Sequence, residues 1–266
     1  MVHIDTGGAQ LHVQDVGEGS PVILVAGFGL DHRVWDRQVR VLADVGHRVL
    51  CVDQRGHGSS DKPHVGYEVR TLAHDLRVVL DRLDVGPATV VGHSFGGQVA
   101  FALAATEPAA VARLVLVGSN AVRASRSDEF PFGRPAGPMV EALVAAEHAD
   151  RVAARIATIA SAFATAPDAP VLDWLVRISL QMPSWAAVAC YRSMLETDQV
   201  DAVSRVVQPV LQIVGADDPV HSAKGAVWLR ERLADATLVE LPACGHYPML
   251  EAAAAFEEAL LAFAAG

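Results

Sequence analysis

Cysteine is scarce, and its spacing signals no pairing. The chain has three, Cys51, Cys190 and Cys244, odd in number and far apart, which suits free thiols in a reducing compartment and speaks against a disulfide framework. No C-x-x-C or H-E-x-x-H occurs, so zinc-binding signatures are missing and no metal or organic cofactor is expected. No stretch approaches ~18 uncharged apolar residues, and residues 1–5 lack a basic start followed by an apolar run. The expectation is a soluble, cytoplasmic protein with no membrane partner. Positive charge is also short, with 21 Lys and Arg against 31 Asp and Glu, and the basic residues are scattered. A net charge of −10 argues against binding nucleic acid or anionic membranes and favours a neutral or hydrophobic small molecule.

What is present suits one globular unit. The 266 residues are 52% hydrophobic but only 6% aromatic, enough to bury a large core in a single α/β domain with an insertion. A half-exposed strand pattern at 10–16 is followed by short, Val-rich apolar runs at 22–26, 48–53, 88–91, 113–117, 209–214 and 237–241. Such runs read as parallel strands buried on both faces. Helical patterns at 36–45, 70–83, 95–106, 223–233 and 250–263 alternate with them, which predicts an α/β fold with a mostly parallel sheet flanked by helices. The alternation stops between Gly118 and about Ser204. A Pro/Gly loop there precedes helical stretches at 139–164, 171–181 and 185–197. The division expected is a core of 1–119 and 205–266 with an inserted helical cap at 120–204. Most cap apolar side chains should attach it to the core, and Phe28, Met139, Trp174, Met182 and Trp185 are the candidates for a substrate pocket.

Gly92-His93-Ser94-Phe95-Gly96 lies between an apolar strand run and a helical run. A G-x-S-x-G in that context is a nucleophile elbow, where glycines relieve Cβ clashes in a tight turn and the serine hydroxyl is held outward. A serine hydroxyl needs a base, and the base needs a carboxylate to hold its tautomer. His246 follows the last strand and precedes the last helix, on the side of a parallel sheet where ligands bind, and is the base candidate. His57 and His93 suit orienting or packing roles, whereas His3, His12, His47, His64, His74, His148 and His221 read as surface residues. Asp217 and Asp218 both follow the penultimate strand, with Asp218 preferred as the acid. The order Ser94, Asp218, His246 is that of a hydrolase relay on an α/β sheet. The backbone amides of Phe95, at the helix start, and of Phe28, between Gly27 and Gly29, are placed to serve an oxyanion. Cys244, two residues from His246, lacks any feature that would activate its thiol.

Together, Gly27-Phe28-Gly29, Asp53-Gln54-Arg55-Gly56-His57-Gly58-Ser59-Ser60, Val91-Gly92-His93-Ser94-Phe95-Gly96-Gly97, Gly215-Ala216-Asp217-Asp218-Pro219 and Cys244-Gly245-His246 resemble the α/β-hydrolase family. The resemblance is to its single-domain, capped members, which include esterases, lactonases, cofactor-free haloperoxidases and carbon-carbon hydrolases. It implies the α/β-hydrolase fold, an acid at the fourth residue of Gly-x-x-Asp (Asp218), and a structural loop at 53–60 in which Asp53 and Arg55 are not catalytic. Many relatives carry His before the oxyanion-loop glycine, where this chain has Ala26. The activity implied is hydrolysis of a small ester or lactone through an acyl-enzyme on Ser94. The alternatives are carbon-carbon hydrolysis or perhydrolase and haloperoxidase chemistry on the same three side chains, or a small-molecule receptor with slow turnover. An Asp nucleophile, as in dehalogenases and epoxide hydrolases of this scaffold, is absent.

Overall fold

The computed structural model describes residues 1–265. Eight strands form one sheet: β1 (Val2–Asp5), β2 (Gln10–Val16), β3 (Ser20–Val25), β4 (His47–Val52), β5 (Ala88–His93), β6 (Val111–Val117), β7 (Val210–Gly215) and β8 (Ala236–Leu241). Their order is β1-β2-β4-β3-β5-β6-β7-β8; β1 and β2 pair antiparallel at one edge and β3 to β8 are parallel. The runs of Val and Leu lack alternation because the central strands are covered on both faces, and every residue of β5 and β7 is buried. β1 was not expected. Its short Val2-His3-Ile4 run is too brief to signal a strand alone, and the Thr6–Ala9 turn folds it back onto β2.

Around the sheet lie α1 (Asp36–Asp44), α2 (Val69–Arg82), α3 (Phe95–Thr106), the insertion helices α4 (Ala136–Ala149), α5 (Arg151–Ala160), α6 (Ala169–Ser179) and α7 (Ser184–Glu196), then α8 (Ala223–Arg230), α9 (Pro248–Glu251) and α10 (Ala253–Ala265). All of α3 except Thr106 is buried, and its Gly and Ala residues let it lie close against the sheet. Two expected helices are each split in two. The stretch 139–164 breaks at Asp150, whose extended backbone (φ −157°) ends α4 while its carboxylate caps the Val152 and Ala153 amides of α5. The stretch 250–263 breaks at Ala252, whose φ −131° and ψ 43° separate α9 from α10.

Between β6 and β7 the described residues form helices and turns but no strand. No helix among the described residues is long and apolar enough to cross a membrane. The order reverses at β3, which has β4 on one side and β5 on the other, and in parallel sheets that switch point is where a ligand crevice opens above the strand C-termini.

Candidate active site

Five strand ends converge at that edge. β5 ends at His93, and Ser94 takes φ 50° and ψ −116° before α3 begins. A left-handed backbone is costly for a residue with a Cβ, so the surroundings must impose it. They do so through missing side chains. A Cβ on Gly96 would lie 2.6 Å from the carbonyl oxygens of both Val25 and Ala26, and one on Gly92 would strike Gly96 O and come within 2.7 Å of Gly97 Cα. The Ser94 amide donates to Val117 O at 2.9 Å, and Ser119 Oγ donates to Ser94 O at 2.8 Å, so the elbow is tied to the end of β6.

The loop after β8 brings His246 over the elbow. His246 Nε2 is 2.9 Å from Ser94 Oγ, and His246 Nδ1 is 2.9 Å from Asp218 Oδ2. An ionised carboxylate only accepts, so Nδ1 carries the proton and Nε2 is left to accept from the Ser94 hydroxyl. Asp218 Oδ1 accepts from the Val220 and His221 amides at 2.7 and 3.0 Å. Burial alone would raise its pKa, but the adjoining His246 and His221 outweigh that, and it is held down to about 2. Asp217 is exposed, and its amide bonds to Cys244 O. Of the two acids, the fold brings only Asp218 to the histidine.

Two further imidazoles flank His246. His93 donates from Nε2 to His246 O at 2.9 Å, with its ring 5.0 Å from that of His246, and the ring of His221 lies 5.4 Å away on its own contact. Burial, reinforced by His246, pushes His93 down to about 3 and His221 to about 4. Both are therefore neutral near pH 7, and no second cation opposes a proton arriving on His246. His221, His12 and His47, expected at the surface from the sequence, are all buried. The signal for His221 was its position three residues beyond Asp218, inside the turn that the Asp218 carboxylate closes.

Phe95 is the first residue of α3, so its N–H has no intrahelical acceptor. Across the crevice, Gly27-Phe28-Gly29 turns sharply, with Leu30 N donating to Gly27 O at 3.1 Å and Gly29 at φ 69°. A Cβ on Gly27 would lie 2.7 Å from His93 Nδ1 and 3.0 Å from Ser94 Cβ, so this loop touches the elbow. Just before that glycine, the Ala26 carbonyl accepts from Gln54 Nε2 at 3.0 Å. Ser94 is only 7% exposed and His246 5%, so the relay is nearly shut off from bulk water.

The helices between β6 and β7 pack onto the same loop. The Phe28 ring stacks on Tyr191 of α7 at 4.4 Å, and the Arg155 guanidinium of α5 lies 5.3 Å from the Phe28 centroid. Arg155 is fully buried, bidentate to Glu147 at 2.8 and 2.9 Å, and donates to Ser179 O and Oγ. Nothing in the sequence pattern marked this ion pair, because its partners come from two helices that only the Asp150 break lets fold together.

The other pocket candidates separate. Met182 is buried in the core that Phe28 packs against, Trp174 packs half-buried against the opposite core, and Met139 is half-buried on α4. Trp185 is 47% exposed; it stacks on His64 and donates to Lys62 O at 3.3 Å, so it ties α7 to the 62–64 loop from outside and, contrary to expectation, lines no enclosed pocket. Cys244 is buried, and desolvation with nearby carboxylates pushes its thiol up to about 12, which rules out a thiolate nucleophile. In the 53–60 loop, Asp53 accepts from the Ser59 amide and Arg55 pairs with Asp75, structural roles both. A surface cleft of about 490 Å³ lined by Glu68, Thr71, Ala102, Gln199 and Arg205 contains none of these residues.

Residues 20–253 match the family model described as alpha/beta hydrolase fold. A non-heme chloroperoxidase from Streptomyces lividans is 33% identical over 242 residues, covering 87% of each chain. A pimeloyl-acyl-carrier protein methyl ester esterase from Nitrosomonas europaea is 33% identical over 248 residues, 91% of this chain and 94% of that one. Among solved structures, an esterase from Exiguobacterium antarcticum superposes with a TM-score of 0.96 at 26% identity, covering 99% of both chains.

Proposed function

The chain belongs to the alpha/beta hydrolase family, and on that premise we propose that it hydrolyses a carboxylic ester or lactone of a small, hydrophobic substrate through an acyl-enzyme on Ser94. The observation that carries this reading is the continuous relay from Ser94 Oγ through His246 to Asp218, with both contacts at 2.9 Å. Ser94 Oγ attacks the carbonyl carbon while its proton passes to His246 Nε2, and Asp218 stabilises the imidazolium that forms. The carbonyl oxygen becomes an oxyanion and accepts from the Phe28 and Phe95 amides. Collapse of the tetrahedral species expels the alcohol oxygen, which takes the proton from His246. Water then attacks the acyl-enzyme, gives its proton to His246, and the acid leaves as Ser94 recovers the proton. In a lactone the alcohol stays tethered, and the product is a hydroxy acid. The helices between β6 and β7 act as the cap, with the half-buried Phe28 ring presenting aromatic surface to an apolar substituent and the buried Tyr191 backing it.

A second reading follows from the chloroperoxidase relative. Hydrogen peroxide in place of water at the same acyl-enzyme gives a peracid and free Ser94, so perhydrolysis needs no change to the relay. The test is labelling by a fluorophosphonate together with turnover of short activated esters and lactones, with water or peroxide as acceptor. Ser94→Ala is expected to lose both labelling and turnover; a variant that keeps more than a few per cent of wild-type activity refutes Ser94 as nucleophile. Tight ligand binding by the unmutated protein with negligible turnover would instead mark a receptor.

A further inference from the structure

Two to three strands away from the elbow, about 10–15 Å along the sheet, two imidazoles point at one carboxylate. His12 on β2 and His32, in the 3-10 turn after the Phe28 loop, both direct Nδ1 toward Asp53, which follows β4. His32 Nδ1 is 3.0 Å from each Asp53 oxygen, His12 Nδ1 is 3.3 Å from Oδ2, and the three donor atoms lie within 4.8 Å of one another. The rings of His12 and His32 are 4.7 Å apart.

One of these contacts is an ordinary hydrogen bond and the other is not. His32 is well placed to donate to Asp53, whose oxygens also accept the His32 and Ser59 amides at 2.8 and 2.9 Å. His12 Nδ1 is inaccessible to solvent and, at 3.3 Å from Asp53 Oδ2, sits out of line for a good hydrogen bond. A buried imidazole nitrogen that faces a carboxylate at a poor angle is only partly compensated for its lost water. A cation between them completes the compensation. Zinc bonds to His nitrogen and carboxylate oxygen of about 2.0–2.2 Å at tetrahedral angles place neighbouring donor atoms about 3.3 Å apart, close to the two His–Asp separations of 3.0 and 3.3 Å. The lone pair that each Asp53 oxygen gives to a backbone amide leaves a second for a metal.

We propose that His12, His32 and Asp53 form a binding site for one divalent transition-metal ion, zinc by the fit of its ligands, that staples β2, β4 and the far end of the Phe28 loop together. Two imidazoles and one carboxylate suit zinc, cobalt or nickel and disfavour magnesium and calcium, which take oxygen ligands. The set leaves a fourth position. His3 stands directly across from His12 in the β1/β2 pairing, so both side chains share one face, with rings 5.5 Å apart and His3 exposed at the rim. A side-chain rotation of His3 closes the site, and water serves otherwise. No part of this depends on what Ser94 does, since the ion touches none of the relay residues.

The experiment is titration of chelator-treated protein with zinc chloride by calorimetry, for the full chain and for His12→Gln, His32→Gln, His3→Gln and the exposed-histidine control His148→Gln. One equivalent is expected to bind, at least 100-fold more weakly in His12→Gln and His32→Gln, about tenfold more weakly in His3→Gln, and unchanged in the control. Zinc at 100 times its Kd should raise Tm by about 5 °C. No binding, or equal binding by all variants, overturns the proposal. Should a variant fail to fold, an anomalous-scattering map of zinc-soaked wild-type crystals decides: a peak bonded to His12 Nδ1, His32 Nδ1 and Asp53 supports the site, and its absence there refutes it.

Discussion

Replacing Arg155 by methionine should destabilise the protein far more than the loss of one surface charge would. Arg155 is fully buried, its guanidinium is paired twice with Glu147, itself only 2% exposed, and its remaining bonds go to Ser179. Methionine fills much of the same volume but leaves the Glu147 carboxylate without its main countercharge, keeping the Ser184 hydroxyl at 3.0 Å and the more distant Arg151 at 3.9 Å. Breaking one side of a buried ion pair costs about 3–5 kcal/mol, against a total stability of about 5–15 kcal/mol for a domain. For a chain of this length that corresponds to a Tm drop of about 6–10 °C. Removing both charges in Arg155→Met/Glu147→Leu should restore most of the loss, because the desolvated carboxylate is gone as well. Urea unfolding of the two single variants and the double variant gives the coupling energy directly. The Phe28 ring also loses the overlying cation, worth about 1–2 kcal/mol when desolvated, so kcat on an activated ester should fall by up to about tenfold. Loss of under 1 kcal/mol in Arg155→Met, or a double variant no more stable than the single ones, refutes the reasoning.

Asp218→Asn should lower kcat by about 10⁴ through loss of the correct His246 tautomer, while Asp217→Asn, at an exposed position without contact to the relay, should stay within a factor of a few. Steady-state kinetics on one ester checks both, and equal losses would displace Asp218 as the acid. Acid should unfold the protein unusually early. His57 and His221 are held near 4 and His93 near 3 by burial, against an ordinary 6.5. The unfolded chain therefore binds these protons first, and stability falls as pH drops from 6.5 towards 4. Between pH 6.5 and 5 each buried imidazole removes up to about 2 kcal/mol. A denaturant midpoint unchanged from pH 7 to 5 would contradict that. Asp218, held at about 2 against 3.8, contributes about 2 kcal/mol that disappears only below pH 4, and Asp218→Asn should flatten that lower limb of the pH–stability curve.

Local sequence was enough wherever a short segment determines its own geometry. The Val-rich runs announced strands buried on both faces, and the elbow glycines announced a turn with no room for Cβ, because both are properties of a few consecutive residues. Ser94, Asp218 and His246 could be paired in advance since each follows a strand, and parallel strands bring such ends to one edge. Helix breaks were less legible. Asp150 acts as a cap only once its carboxylate meets the next turn's amides, and no Gly or Pro between 139 and 164 marks the break.

Side-chain burial between distant segments lay beyond the sequence. His12, His47 and His221 are as polar in the sequence as His64, and only packing separates them. The Arg155–Glu147 pair over Phe28, the neutral imidazoles beside His246, and the His12–His32–Asp53 cluster all join residues from separate elements. Composition and strand order determined the α/β architecture and the relay's members, because hydrophobic periodicity and turn chemistry are local. Tertiary structure decided which polar groups lost their water, and with that which charges, tautomers and contacts surround the serine.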